Sequence, residues 1–183
     1  MRLFVAIDIP DPVQSNLRAL LNRLRPLADF RWSAAENLHV TTKFIGEWPE
    51  ARLDELKQAL ASIPAPTPFE ISVRGLGWFP NPHHPRVFWT GVDGGEPLRT
   101  LASLTEEAAS RLGVAREDRE FRPHLTLARL KGPAPLESIR RGVASLDSQD
   151  FGSFRASGFV LYLSSQGKYT RLAGFRLPLP DKS

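Results

Sequence analysis

The chain has 183 residues, no cysteine, 42% hydrophobic residues and a formal charge of +4. Length and apolar content fit a chain that buries one real core, while the missing cysteine excludes disulfides, thiolate metal sites and a cysteine nucleophile. Arginine outnumbers lysine 19 to 5, and because the planar guanidinium suits phosphate, a polyanionic partner is compatible with the balance.

Arg2 to Asp8 reads as a first strand, stopped by Pro10. Asp11 looks like an N-cap with Pro12 behind it, and Val13, Leu17, Leu20, Leu21 and Leu24 recur at helical spacing, predicting a helix over 12–25. An Arg31-Trp32 loop leads into Asn37-Leu38-His39-Val40-Thr41-Thr42-Lys43-Phe44-Ile45-Gly46, an alternating strand closed by Gly46 and Pro49. A second helix carries Leu53, Leu56, Leu60 and Ile63. After Pro64, Pro66 and Pro68, the segments 69–79 and 86–92 form a β-hairpin around a Pro/His-rich loop. A third helix starts near Pro97 and stops at Gly113. Arg122-Pro123-His124-Leu125-Thr126-Leu127-Ala128-Arg129 is the next strand, followed by a helix with Leu136, Ile139, Val143 and Leu146. Two strands, 154–164 and 169–177, finish the chain. No apolar run approaches the roughly 20 residues of a membrane span, and Met1 to Asp8 is too strand-like for a signal peptide. A cytoplasmic protein with no membrane partner is expected.

Two of the four histidines are followed two residues on by threonine, each inside a strand pattern. Residues two apart share a face of a strand, so His39 points with Thr41 and His124 with Thr126, while Leu125 and Leu127 turn to a core. Val13 lies 26 residues before His39 and Leu98 lies 26 before His124; Pro49 and Pro133 follow by 10 and 9. Matching spacing on both sides of each motif points to an internal duplication. A pseudo-twofold axis would then bring the two His-x-Thr strands face to face.

Imidazoles titrate near neutrality, so one can serve as general base while the other serves as general acid. Threonine hydroxyls on the same face can donate to charged oxygens. The set fits phosphodiester cleavage. Thr and Leu occupy the places where further metal ligands would stand, so metal-free chemistry without a cofactor is expected. Neither a Gly-x-Ser-x-Gly elbow nor a Walker-type glycine loop is present.

The tetrads His39-Val40-Thr41-Thr42 and His124-Leu125-Thr126-Leu127 resemble the signature of the two-histidine (2H) phosphoesterase superfamily. Arg2-Leu3-Phe4-Val5-Ala6-Ile7, Arg31-Trp32, Asn37-Leu38-His39, Phe44-Ile45-Gly46, Phe121-Arg122-Pro123-His124 and Ser164-Ser165-Gln166-Gly167-Lys168-Tyr169-Thr170 resemble its RNA 2′,3′-cyclic phosphodiesterase branch, also called 2′-5′ RNA ligase. The likeness spans essentially the whole chain. Thr42 departs from it, standing where the family more often has an aliphatic residue. The resemblance implies an α+β fold in which residues 1–183 form one domain of two interleaved lobes, each an antiparallel sheet backed by helices, with the active-site cleft between them. It also implies that His39 donates a proton to the leaving 3′ oxygen, His124 accepts one from water, and Thr41 and Thr126 bind the phosphate. From the residues alone the two histidines look alike, and acid and base are not distinguished. The product implied is RNA ending in a 2′-phosphate, with 2′-5′ ligation as the reverse direction. RNA with cyclic phosphate ends, tRNA halves included, is the expected partner of a monomer.

Four further residues are candidate substrate contacts. Lys43 shares the His39 face under strict alternation. Arg129 falls on the face opposite His124 by the same count and needs a bulge to reach the cleft. Among Trp32, Phe44, Trp78, Phe79, Trp89 and Tyr169, all able to stack on bases, Trp32 and Phe44 come first because they adjoin the motif. His83 and His84 read as a solvated loop. Two alternatives stay open: a relative acting on a small cyclic nucleotide or ADP-ribose cyclic phosphate, and an RNA-binding module without catalysis.

Overall fold

The computed structural model describes residues 1–182. Its central strand follows from an unbroken apolar run: Leu3 to Ile7 are all buried in β1 (Arg2–Ile7), which is the pattern of a strand covered on both faces. Leu3, Val5 and Ile7 join the main core, and Phe4 and Ala6 form a second cluster with Val160 and Tyr162.

The remaining elements are α1 (Asp11–Leu24), β2 (Arg31–Trp32), β3 (Val40–Glu47), α2 (Leu53–Ala61), β4 (Phe69–Phe79), β5 (Val87–Asp93), α3 (Gly95–Arg111), β6 (His124–Arg129), α4 (Glu137–Ala144), β7 (Asp150–Ala156), β8 (Gly158–Ser165) and β9 (Lys168–Arg176). They build two sheets, in the orders β3-β1-β8-β9 and β2-β6-β5-β4-β7. Every pairing is antiparallel.

The duplication is visible in the strand orders. In the first sheet β1 lies between β3 and β8, and in the second β5 lies between β6 and β4. Each His-bearing strand thus pairs with the strand that precedes it by one helix, while the third member comes from the other half of the chain. The helices exchange too. α1 leaves the first sheet and packs on β7 and α4 of the second, and α3 leaves the second and packs on β3 and α2. Val13, Leu17, Leu20, Leu21 and Leu24 are the buried stripe of α1, each such side chain stabilising the fold by roughly 1.5–3 kcal/mol.

Besides shifts of a few residues at several element ends, three features differ from the sequence reading. Asp11 is the first residue of α1 rather than its cap. Arg31-Trp32 is a short strand paired with β6, not a loop. The expected strand over 154–164 is the end of β7 and most of β8, which belong to different sheets. The chain changes sheet at Ser157, whose carbonyl accepts the Leu177 N–H at 2.9 Å. At Gly158 an added Cβ would sit 2.6 Å from the Phe175 carbonyl oxygen, so the crossing needs glycine. No helix among the described residues is long and apolar enough to cross a membrane.

Candidate active site

Both His-x-Thr strands break strict alternation immediately after the threonine. In β3, Thr41 pairs with Ala6 but Lys43 pairs with Val5, leaving Thr42 as a bulge. In β6, Thr126 pairs with Trp89 but Ala128 pairs with Phe88, leaving Leu127 as a bulge. Antiparallel partners share a face, so Phe44, opposite Phe4, returns to the face of His39 and Thr41. Arg129, opposite Val87, likewise returns to the face of His124 and Thr126. The bulge residue Thr42 is buried, and its Oγ1 donates to the Val5 carbonyl at 3.3 Å.

The segment between β2 and β3 stitches the two sheets together at the start of both strands. Ser33 donates its N–H to the Leu127 carbonyl at 2.9 Å and its hydroxyl to the Thr126 carbonyl at 2.7 Å. Asn37 Nδ2 donates to the Gly167 carbonyl at 3.1 Å, in the β8–β9 turn. His39 follows at the end of this bridge.

His39 Nδ1 lies 3.1 Å from the Asn37 carbonyl and His124 Nδ1 lies 2.8 Å from the Arg122 carbonyl, in both cases the residue two before. A carbonyl only accepts, so Nδ1 carries the hydrogen and Nε2 is left to exchange protons. The Thr41 and Thr126 hydroxyls make no hydrogen bond among the described residues.

The surroundings of the two rings differ. The His39 side chain is only 11% exposed, with Nε2 3.6 Å from Asp8 Oδ1, and its ring packs 4.6 Å from Tyr162, 5.8 Å from Tyr169 and 6.3 Å from Phe4, centroid to centroid. Burial lowers its pKa below the ordinary value; the Asn37 carbonyl and Asp8 pull upward, and Arg171 pushes down. Asp8 also accepts hydrogen bonds from the Tyr162 hydroxyl and from Arg171. Tyr162 is pushed up to about 12, first by burial and then by Asp8, and stays a donor at neutral pH. His124 is exposed, and no carboxylate of the described residues lies within 4.0 Å of its ring. The strand registers explain the contrast. Ala6 opposite Thr41 corresponds to Trp89 opposite Thr126, so two residues further along the strand Asp8 corresponds to Gly91.

Four of the sequence-derived residues, His39, Thr41, His124 and Thr126, stand on the faces expected, and Phe44 and Arg129 join them through the bulges. Phe44 is 68% exposed. Two expectations are corrected. Lys43 turns to the opposite face, is 5% exposed, and donates to Glu106 of α3 at 2.9 Å and to the Ala115 carbonyl at 2.8 Å. Trp32 pairs with Ala128 on the core side, stands edge-on to Phe88 and donates to the Ala28 carbonyl at 3.0 Å, so it is held as packing rather than offered to a base. His83 and His84 are exposed in the hairpin loop, as read. Sequence reasoning missed Asp8, Tyr162 and Arg171, which only the pairing of β1, β8 and β9 brings together, and Arg31, the cross-strand neighbour of Arg129. No group of three or more His, Cys, Asp or Glu able to hold a metal ion occurs among the described residues.

Two His-x-Thr strands in equivalent registers, with each Nδ1 held by its own backbone, form the architecture of a two-histidine phosphoesterase. The family model for LigT-like phosphoesterases matches residues 7–89 and 92–170, one His-x-Thr motif in each segment. The chain belongs to that family. It is 36% identical to an RNA 2′,3′-cyclic phosphodiesterase of Archaeoglobus fulgidus over 88% of this chain and 89% of that one. With the enzyme of the same name from Methanothermobacter thermautotrophicus it shares 32% over 97% and 99%. Among solved structures, a Thermus thermophilus protein superposes with a TM-score of 0.78 at 32% identity, covering 97% of this chain and 98% of that one. E. coli LigT complexed with 3′-AMP gives 0.75 at 27%, covering 96% and 97%.

Proposed function

We propose that this protein is an RNA 2′,3′-cyclic phosphodiesterase that works by general acid and base catalysis between His39 and His124. Water attacks phosphorus as His124 Nε2 takes its proton. The P–O3′ bond breaks as His39 Nε2 gives a proton to the departing 3′ oxygen, and the phosphate remains on O2′. Thr41 and Thr126 donate to the non-bridging oxygens, with Arg129 as a cationic neighbour. When a 5′-hydroxyl attacks phosphorus in place of water, the P–O3′ bond breaks in the same way and the RNA ends are joined 2′-5′; the return of O3′ to phosphorus expels the 5′-hydroxyl again. The substrates are RNAs with cyclic phosphate ends, tRNA halves among them, handled in the cytoplasm by a monomer without a cofactor.

The observation that carries the assignment of roles is Asp8, 3.6 Å from His39 Nε2, where His124 has no such carboxylate. A nearby anion favours imidazolium. In the free protein burial, joined by Arg171, outweighs Asp8 and holds His39 toward the neutral form; the negative charge of a bound phosphodiester adds to the pull of Asp8 and favours the protonated ring. The names of the relatives and the 3′-AMP complex of E. coli LigT support a nucleotide substrate.

The test is an assay in excess EDTA on an oligonucleotide ending in a 2′,3′-cyclic phosphate, for wild type, His39→Ala and His124→Ala. Conversion to a 2′-phosphate end, lowered roughly a hundredfold to ten-thousandfold in each variant, is expected. Full activity in both variants would overturn the proposal. Salt-sensitive RNA binding without turnover would mark a binding module, and preference for a cyclic mononucleotide would mark a small-substrate enzyme.

A further inference from the structure

We infer that Trp89 is a stacking platform for the nucleobase of the nucleotide whose phosphate Thr126 binds; this rests on the phosphate site proposed above. Trp89 stands on β5 directly opposite Thr126, two residue pairs along from the Gly91–His124 pair, and so on the face that carries the second motif. Its other neighbour is Gly77 of β4. A Cβ placed on Gly77 would meet Trp89 Cζ2 at 2.1 Å and Cη2 at 2.5 Å, so the six-membered ring of the indole lies down over the glycine backbone. At Gly91 a Cβ would lie 2.7 Å from the Arg74 carbonyl oxygen and 3.7 Å from Trp89 Cζ3, so the indole also reaches along its own strand toward the partner of His124.

The other sheet shows what this arrangement replaces. In equivalent registers, Ala6 faces Val160 there, two modest apolar side chains under the His39 side, whereas the second sheet sets Trp89 against Gly77. The sheet that lacks the carboxylate thus carries a flat aromatic floor. Trp89 is half-buried, one ring face on glycine backbone, and no aromatic partner is stacked on it among the described residues. Trp78 and Trp32, by contrast, are packed against Phe88 on the core side. Directly opposite residues on neighbouring strands have Cβ atoms about 5 Å apart, within the span of one nucleotide from a phosphate on Thr126. Any base offers a π-face, so the platform holds bases without choosing among them.

Calorimetric titration of wild type, Trp89→Phe and Trp89→Leu with 2′-AMP and, separately, with inorganic phosphate tests this. Trp89→Leu is expected to weaken 2′-AMP by roughly tenfold or more, Trp89→Phe to keep most of the affinity, and phosphate binding to stay unchanged in both. In wild type, 2′-AMP should also shift one indole N–H resonance, identified by its absence from Trp89→Phe, that phosphate leaves in place; this readout does not depend on the leucine variant folding. Unchanged 2′-AMP affinity in Trp89→Leu, a parallel loss of both ligands, or an unmoved Trp89 resonance would overturn the inference. Because binding is measured without turnover, a failure of the catalytic proposal leaves these outcomes readable.

Discussion

Phe44 and Arg129 occupy equivalent points of the two His strands, each five residues past its histidine and each turned onto the histidine's face by a one-residue bulge after the threonine. One sheet therefore presents an aromatic edge where the other presents a cation. The two His strands are alike in their backbone and unlike in their chemistry.

Asp8→Asn tests the acid role of His39. Asp8 pulls the imidazole pKa upward, so removing the carboxylate lowers it further. An acid must be protonated, so the alkaline limb of the kcat–pH profile should move to lower pH. Movement of the acidic limb instead would exchange the roles of His39 and His124.

The two threonines and Arg129 should each contribute to transition-state binding. Thr41→Val and Thr126→Val are expected to lower kcat/KM by about 1.5–3 kcal/mol, the usual worth of a hydrogen bond to a charged group. Arg129→Gln should fall in the same range with folding unchanged. Steady-state kinetics on a cyclic-phosphate oligonucleotide, with thermal melts as control, decides this.

Lys43→Met should cost about 3 kcal/mol of stability, because Glu106 then loses its buried partner, and should leave kcat/KM per folded molecule as in wild type. Denaturant unfolding and kinetics on the same preparation separate the two effects. A catalytic defect without destabilisation would return Lys43 to the cleft.

His39 also links stability to pH. Burial holds its folded pKa below the ordinary 6.5, so between those values the unfolded chain binds more protons than the folded one. Stability from this group is complete above about 6.5 and is lost as pH falls through the folded value. The Tm of wild type should drop more between pH 7.5 and pH 5 than that of His39→Gln; equal drops would refute the shift.

Much of this was legible in the sequence for one physical reason: period-2 and period-3.6 patterns report which faces are buried. They located both His strands, the hairpin and all four α-helices. Bulges leave no such trace. Thr42 and Leu127 are ordinary strand residues, and the extra residue each contributes reverses the faces of the residues just after it, sending Lys43 inward and bringing Arg129 back to the site. Trp32 adjoined the motif in sequence, but its pairing with Ala128 turned it into the core. Asp8, 31 residues before His39, became its neighbour only through the β1–β3 register, which no local pattern encodes.

The exchange of strands between the sheets has a consequence for the chain as a whole. β4 finds its partners β5 and β7 beyond the hairpin loop, and β1 completes one of its edges with β8. A fragment ending in the hairpin loop would expose strand edges that only the missing half can occupy. Two such fragments should be inert apart and regain activity when mixed, each supplying one histidine to a cleft that neither can close alone.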